Sequence, residues 1–239
     1  SVLPAANMPK KSAHAENLGE IDDLFVAFLL DAFGVLNVGD TAIAGAAQRA
    51  QMLKDMGKDV LVLTNGACFP AEQALKKFLS FGIPLEIADI VSSRAALAAA
   101  IPPLPDSGFW GVMSTQNSHV ETLGIPWKRL ENDMSIYDAA SGFILLSTLE
   151  WTEAQQMLLQ ESLAKVARPI LVGNPDIVAP RGRYLSLEPG YYGHKLGSEL
   201  KIQAKFFGKP FTNIYDLAFS RLPNIDPSRV VMVGDTLHT

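Results

Sequence analysis

Four short segments of this chain carry residue types that could do chemistry together. Asp31 ends the apolar run Leu24-Phe25-Val26-Ala27-Phe28-Leu29-Leu30 and is followed at once by Ala32-Phe33-Gly34-Val35-Leu36. That pattern reads as a buried strand delivering a carboxylate into a glycine-bearing turn, where open α/β sheets keep their chemistry. Leu63-Thr64-Asn65 follows a second apolar strand, Gly208-Lys209-Pro210 lies far along the chain, and Val233-Gly234-Asp235 follows a third strand. Phosphoryl transfer needs such a set: a carboxylate nucleophile, oxygen ligands for a hard cation, and donors for phosphate oxygens. Each segment alone has a plainer reading. Asp31 could cap a turn, Asp235 could start one or cap a helix, Thr64-Asn65 could be turn chemistry, and a lone lysine is ordinarily a solvated surface residue.

The elements that must position these residues are legible in the hydrophobic pattern. Ile43, Ala46, Ala47, Ala50, Leu53 and Met56 recur at helical spacing, and Gly57 closes the pattern like a C-terminal cap. Val60-Leu61-Val62-Leu63 reads as a strand and residues 71–81 as a helix ending at Gly82. This β-α-β-α order implies parallel strands with right-handed crossovers. The middle of the chain has its own alternation: Ile90-Val91, a helix over 95–100, a strand over 109–113, a helix over 116–123, a strand over 142–146, a helix over 152–166 and a strand over 169–172. Pro102-Pro103-Leu104-Pro105 and Pro126-Trp127 mark loops within it. From about Gly193 the first pattern returns, with a helix through Phe207, a second over 213–221 and the strand Arg229-Val230-Val231-Met232-Val233. The expectation is a doubly wound, parallel-sheet (Rossmann-like) α/β core over residues 21–88 and 191–239, interrupted by a smaller α/β domain over 89–190 and preceded by a flexible lead-in over 1–20.

Bulk properties exclude several classes. A chain of 239 residues with 48% hydrophobic content can bury a sizeable core. Its net charge of −5 is spread without a basic block, which disfavours nucleic-acid binding, whereas a phosphorylated small molecule needs only local positive charge. Cys68 is the only cysteine, so no internal disulfide forms. No apolar run reaches the ~20 residues of a membrane helix, and residues 1–20 lack a hydrophobic signal core. A cytoplasmic protein with no membrane partner is expected.

Asp31-Ala32-Phe33-Gly34-Val35-Leu36, Leu63-Thr64-Asn65, Asn174-Pro175-Asp176, Gly208-Lys209-Pro210 and Val233-Gly234-Asp235-Thr236 together resemble the haloacid dehalogenase-like superfamily, subfamily IIA. That subfamily includes p-nitrophenylphosphatase-like, nucleotide and pyridoxal-phosphate phosphatases, and the likeness runs from about residue 22 to the C-terminus. It implies a phosphatase-type hydrolase acting on a small phosphorylated metabolite, with the inserted domain as a cap that closes over the site. Asp31 would be the nucleophile, forming an aspartyl phosphate that water later hydrolyses. Asp31, Asp235 and the backbone carbonyl of Phe33 would hold Mg²⁺. Thr64, Asn65 and Gly66 would bind phosphate oxygens, Lys209 would neutralise charge on Asp31 and the phosphoryl group, and Asn174 and Asp176 would face the substrate. A homodimer through the cap is an assembly this likeness allows.

The sequence departs from the family pattern at Phe33, where active relatives carry a second Asp that protonates the leaving alcohol and later activates water. A phenyl ring transfers no proton, and losing a general acid or base costs about 10²- to 10⁴-fold in rate. Three outcomes are open: substrates whose leaving group needs no proton, an acid borrowed from elsewhere, or binding without turnover, which would make the chain a non-catalytic phosphometabolite-binding relative. His119, His194 and His238 are the substitute acids to weigh, His238 first because it lies nearest the last motif. The family also continues beyond the Leu237-His238-Thr239 end with another Asp and further core elements, so the core is expected to be incomplete at its C-terminal side. Cys68 reads as a small, partly buried thiol, and Trp110, Trp127 and Trp151 as packing residues of the inserted domain.

Overall fold

Ala27–Asp31 forms a strand buried along its whole length, which requires cover on both faces of its sheet and explains why the run shows no polar alternation. The structure is a computed structural model describing residues 4, 11–181 and 184–236. Contacts divide it into a first unit, made of the chain up to Thr64, Ala71–Val91 and the part from Lys209 onward, and a second unit, made of Asn65–Pro70 and Ser92–Gly208.

In the first unit the strand order is Val230–Val233, Ala27–Asp31, Asp59–Thr64, Ile90–Ser92. Ala27–Asp31 runs parallel to both of its neighbours, with Leu30 opposite Val233 and Asp31 opposite Leu63. This register brings the carboxyl ends of three strands level, so the residues that leave them emerge side by side. Phe28, Leu30, Val60 and Val62 point to one face, where they pack with Ala50 and Leu53 of helix Ala46–Asp55 and Phe78 of helix Ala71–Ser80. Helix Thr212–Ser220 buries Ile214 and Ala218. Just past its end, Arg221 donates to the carbonyls of Ala88 (2.8 Å) and Ile90 (2.7 Å), binding the helix end to the edge strand.

The second unit is built on a five-stranded sheet in the order Lys205–Phe206, Ile170–Val172, Gly142–Leu145, Trp110–Met113, Trp127–Arg129, with every pairing parallel. Helix Glu153–Lys165 starts at a capping box: Thr152 Oγ1 accepts from Gln155 N, and the Gln155 side chain accepts from Thr152 N. An antiparallel hairpin, Val178–Arg181 with Tyr184–Leu187, stands apart from this sheet. The layered parallel α/β class expected from sequence is the one observed. No helix among the described residues is long and apolar enough to cross a membrane.

Several local expectations are corrected. The helix anticipated over 116–123 is only a 3₁₀ turn, Val120–Leu123, because His119 and Gly124 bracket it in left-handed conformations (φ 47° and 66°). The helix expected from Gly193 to Phe207 is instead Pro189–Leu200, stopped by Lys201 at φ 58°. Residues Lys205–Phe206 then pair with Ile170–Val172, so the chain up to Gly208 groups with the second unit, whereas the pattern put the return to the core at 191. Trp127, expected in a loop, opens a strand, and the helix Met134–Ala139, N-capped by the Asp133 side chain, was not foreseen.

One guanidinium gathers the helix ends of the second unit. Arg168 donates to the carbonyls of Tyr137 (2.6 Å), Ala140 (3.2 Å), Ser162 (2.7 Å) and Val166 (3.1 Å), and lies over the Phe143 ring. Arg168→Met keeps the aliphatic stem but removes these donors, and is expected to lower unfolding free energy by about 2 kcal/mol. Urea denaturation measures it; a loss under about 0.5 kcal/mol would show that water replaces the guanidinium without penalty.

Candidate active site

The first unit holds a buried ion pair at its sheet's carboxyl end. Asp31 is 6% exposed and Lys209 3%. Lys209 Nζ contacts Asp31 Oδ1 and donates to the Leu63 carbonyl at 3.1 Å. The Ala32 N–H donates to the same Asp31 oxygen at 2.6 Å. Burial pushes the Asp31 carboxyl above the ordinary carboxylate range; Lys209 and the Ala32 N–H pull against that, and the charge of Asp235 adds to the upward push. Tyr215, on helix Thr212–Ser220, is also held above its ordinary range, by burial first and then by the charge of Asp31.

Asp235 leaves the neighbouring strand and meets the turn that follows Asp31. Gly34 stands at φ +83°, and a Cβ there would lie 2.6 Å from the Asp235 carboxyl carbon. Only glycine satisfies both the backbone sign and this approach. The turn is closed by Gly34 N to Asn37 O (2.9 Å) and by Leu36 N and Asn37 N to Ala32 O (2.8 and 3.0 Å). The Phe33 carbonyl takes no part in these bonds. Asp31 and Asp235 are two carboxylates whose charges act on each other, oxygen donors of the kind that suits a hard cation retaining some of its water. Among the described residues no group of three or more His, Cys, Asp or Glu comes together that could hold a metal ion of any kind. Phe33 is half-buried and Thr64 ends the strand Asp59–Thr64.

Asn65, Gly66, Asn174 and Asp176 belong to the second unit. Asn65 and Asn174 are buried, and Gly66 is exposed. Asn65 Nδ2 donates to Asp176 Oδ1 (2.8 Å), the Asp176 N–H to Asn174 Oδ1 (3.0 Å), and Asn174 Nδ2 to Glu188 Oε2 (3.2 Å). Glu188 also accepts from Ser186 Oγ at 2.6 Å. Gly208, directly before Lys209, stands at φ +118° where a Cβ would lie 2.6 Å from Asn65 Oδ1 and 2.8 Å from Pro175 Cδ. The glycine of the Gly-Lys-Pro motif is thus fixed by two other segments meeting there.

Sequence reasoning missed the residues that hold this loop. Ser93 Oγ donates to the Asn65 carbonyl (2.8 Å), and buried Arg94 donates to the carbonyls of Ala67 (3.0 Å) and His119 (2.7 Å). The signal available was Arg94 itself, a lone charge in the small, apolar stretch Ser93-Arg94-Ala95-Ala96-Leu97. Glu188 and Tyr215 gave none. Of the substitute acids, His119 pairs with Glu121 in the second unit. His194, in the same unit, stacks on Phe206 with its basicity lowered by burial. His238 lies outside the described residues. Cys68 is half-buried beside the hydroxyls of Thr115 (3.8 Å) and Ser118 (3.7 Å). Trp110 is buried, and Trp151 donates to Gln156.

A parallel α/β core with an aspartate–lysine pair at its strand ends and a second aspartate beside it defines a hydrolase class that comparison makes specific. A family model described as haloacid dehalogenase-like hydrolase matches residues 28–123, and another, HAD-hydrolase-like, matches 206–239, together more than half of the chain. A 4-nitrophenylphosphatase of Schizosaccharomyces pombe is 23% identical over 256 aligned positions, covering 97% of this chain and 84% of its own. An acid sugar phosphatase of Staphylococcus aureus is 24% identical over 224 positions, covering 90% and 80%. Among solved structures, a possible sugar phosphatase of the HAD superfamily from Cytophaga hutchinsonii superposes with a TM-score of 0.84 at 24% identity, covering 95% of this chain and 84% of its own. The 4-nitrophenylphosphatase of Thermotoga maritima gives 0.73 at 18%, covering 90% and 80%. The chain belongs to the haloacid dehalogenase-like hydrolases, and the relatives it resembles carry phosphatase names.

Breaking the buried pair from one side leaves a charge without its partner. Lys209→Met and Asp31→Asn are each expected to cost stability, the lysine loss by about 3 kcal/mol, while the double variant recovers part of the loss because no buried charge remains. Chemical unfolding of the three variants provides the cycle; strictly additive losses would show that the two groups do not interact.

Proposed function

We propose that this protein hydrolyses phosphate monoesters of small molecules through a phosphorylated Asp31. The observation that carries the reading is the buried Asp31–Lys209 pair at the strand ends, with Asp235 close enough to raise the Asp31 carboxyl. An Asp31 oxygen attacks phosphorus, the bond from phosphorus to the ester oxygen breaks, and water then cleaves the acyl phosphate to return the carboxylate. Lys209 neutralises the approach of anion to anion and pulls the Asp31 carboxyl back toward its ionised form against the effect of burial. The Thr64 hydroxyl, Asn65 and Gly66 are assigned to the phosphoryl oxygens, and Asn174 and Asp176 to the organic part of the substrate. Mg²⁺, held by the carboxylates of Asp31 and Asp235 and the Phe33 carbonyl, would supply positive charge to the phosphoryl oxygens.

Phe33 sets the substrate class. With no acid at this position, the ester oxygen must leave without receiving a proton from it, which favours leaving groups stable as anions. Aryl phosphates meet that need, and the S. pombe and T. maritima relatives are named for 4-nitrophenyl phosphate. Alkyl esters such as sugar phosphates, the substrates in the name of the S. aureus relative, would turn over slowly. The same residue favours the second reading, a binder of phosphorylated metabolites that does not turn them over.

Two measurements separate these readings. Release of 4-nitrophenolate and of phosphate from glucose 6-phosphate is followed with Mg²⁺ and again with chelator; Mg²⁺-dependent activity, faster on the aryl ester and abolished by Asp31→Asn, is expected, and unchanged activity in Asp31→Asn would refute the nucleophile. Phe33→Asp is then expected to speed the alkyl ester by about 10²-fold or more, and the aryl ester far less. Equal gains on both esters would contradict a missing-acid account, and no activity in either protein would favour the binder.

A further inference from the structure

Glu188 is a buried carboxylate that the hydrolytic steps do not use. It is 5% exposed and stands at the N-cap of helix Pro189–Leu200, a place where short polar side chains ordinarily bond the helix's own N–H groups. Its side chain turns elsewhere. Oε1 accepts from Ser186 Oγ at 2.6 Å and Oε2 from Asn174 Nδ2 at 3.2 Å. A carboxylate out of water persists only where donors meet it, so these partners show what it fixes.

What it fixes is a direction. A carboxylate only accepts, so the Asn174 amide turns its NH₂ toward Glu188 and its oxygen the other way. That oxygen accepts from the Asp176 N–H at 3.0 Å, closing a turn across Pro175. The Asp176 carboxylate in turn accepts from Asn65 Nδ2 at 2.8 Å. Two further links tie the turn to the helix start: Glu188 N donates to the Ile177 carbonyl at 3.0 Å, and a Cβ on Gly190 would collide with the carbonyls of Pro175 and Asp176. All of these residues belong to the second unit. Asn65, Asn174 and Glu188 are buried, whereas Asp176 is half-buried and so has surface that a ligand can meet. Its carboxylate has acceptor positions for about four donors, more than the bond from Asn65 takes up.

We propose that Glu188 is a positioning residue for substrate selection: through Asn174 it holds the turn that presents Asp176, whose carboxylate accepts hydrogen bonds from hydroxyl groups on the organic part of the substrate. This rests on the assignment of Asp176 to that organic part, and adds the residue that sets it and the chemistry it selects. Hydroxyl-bearing esters such as sugar phosphates gain those bonds, whereas inorganic phosphate and 4-nitrophenyl phosphate offer no hydroxyl to Asp176. Affinity is thereby graded by the organic group, while the rate on each ester is governed by its leaving oxygen.

Isothermal titration calorimetry of the full chain with Mg²⁺, using glucose 6-phosphate and inorganic phosphate as probes, tests this. Glucose 6-phosphate is expected to bind the unsubstituted protein about tenfold more tightly than phosphate. Glu188→Leu is expected to weaken glucose 6-phosphate about tenfold and phosphate less than about twofold. Glu188→Gln is expected to keep the margin between the probes, because its amide oxygen still accepts from Asn174 and its NH₂ can donate to Ser186 Oγ. Asp176→Ala is expected to cost glucose 6-phosphate as much as Glu188→Leu, and the double variant no more than either, because one residue acts through the other. Asn174→Ala cuts the same relay one link nearer Asp176 and replaces Glu188→Leu should that variant not fold. Equal weakening of both probes in Glu188→Leu, loss of the margin in Glu188→Gln, additive losses in the double variant, or glucose 6-phosphate bound no more tightly than phosphate at the outset would overturn the proposal. Failure of both probes to bind the unsubstituted protein would instead refute the phosphate site, and the role of Glu188 with it.

Discussion

The contact on which the first unit depends is that between Asp31 and Lys209, both almost fully buried. A carboxylate in that position would be driven toward its neutral form, which is a poor nucleophile, unless a cation were held against it. Lys209 supplies that cation from a segment far away in sequence, and its ammonium is located by the Leu63 carbonyl as well as by Asp31. Desolvation makes the pair a weak source of stability, yet it makes either partner costly to lose, so the pair specifies an arrangement more than it strengthens one. The parallel register sets Asp31 opposite Leu63 and Leu30 opposite Val233, which brings the three strand ends level.

Much of the fold was legible because parallel strands covered on both faces write themselves as unbroken apolar runs. Ala27–Asp31, Asp59–Thr64 and Gly142–Leu145 each read that way, the helix Ala71–Ser80 is closed off by Gly82 at φ +74°, and Glu153–Lys165 opens on the capping pair Thr152 and Gln155. What escaped depended on single backbone angles or on partners distant in the chain. The left-handed turns at His119 and Lys201 cut short patterns that local periodicity favoured. The edge strand Trp127–Arg129 and the hairpin Val178–Arg181 with Tyr184–Leu187 are short and incompletely covered, so they lack the apolar signature of the central strands.

The candidate site was legible to a similar depth. Asp31, Lys209 and Asp235 could be picked out by type and order, and Gly34 by its place in the turn. Of the clamps that fix the loop after Thr64, Ser93 left no trace because its partner is a backbone carbonyl, which any residue supplies, and Arg94 showed only as a lone charge among small and apolar residues. Phe33 was legible at once as a departure from the family pattern, and the proposed chemistry turns on it, because a phenyl ring at that position has no proton to give.

The central claim, that Asp31 becomes covalently phosphorylated, is tested most directly by acid-quenching the protein during turnover of 4-nitrophenyl phosphate with Mg²⁺ and mapping the phosphoryl group by mass spectrometry. The account requires a labile acyl phosphate on the peptide containing Asp31, absent from Asp31→Asn. Turnover that persists while no phosphoryl group is ever found on Asp31, or one found on another side chain, would contradict it.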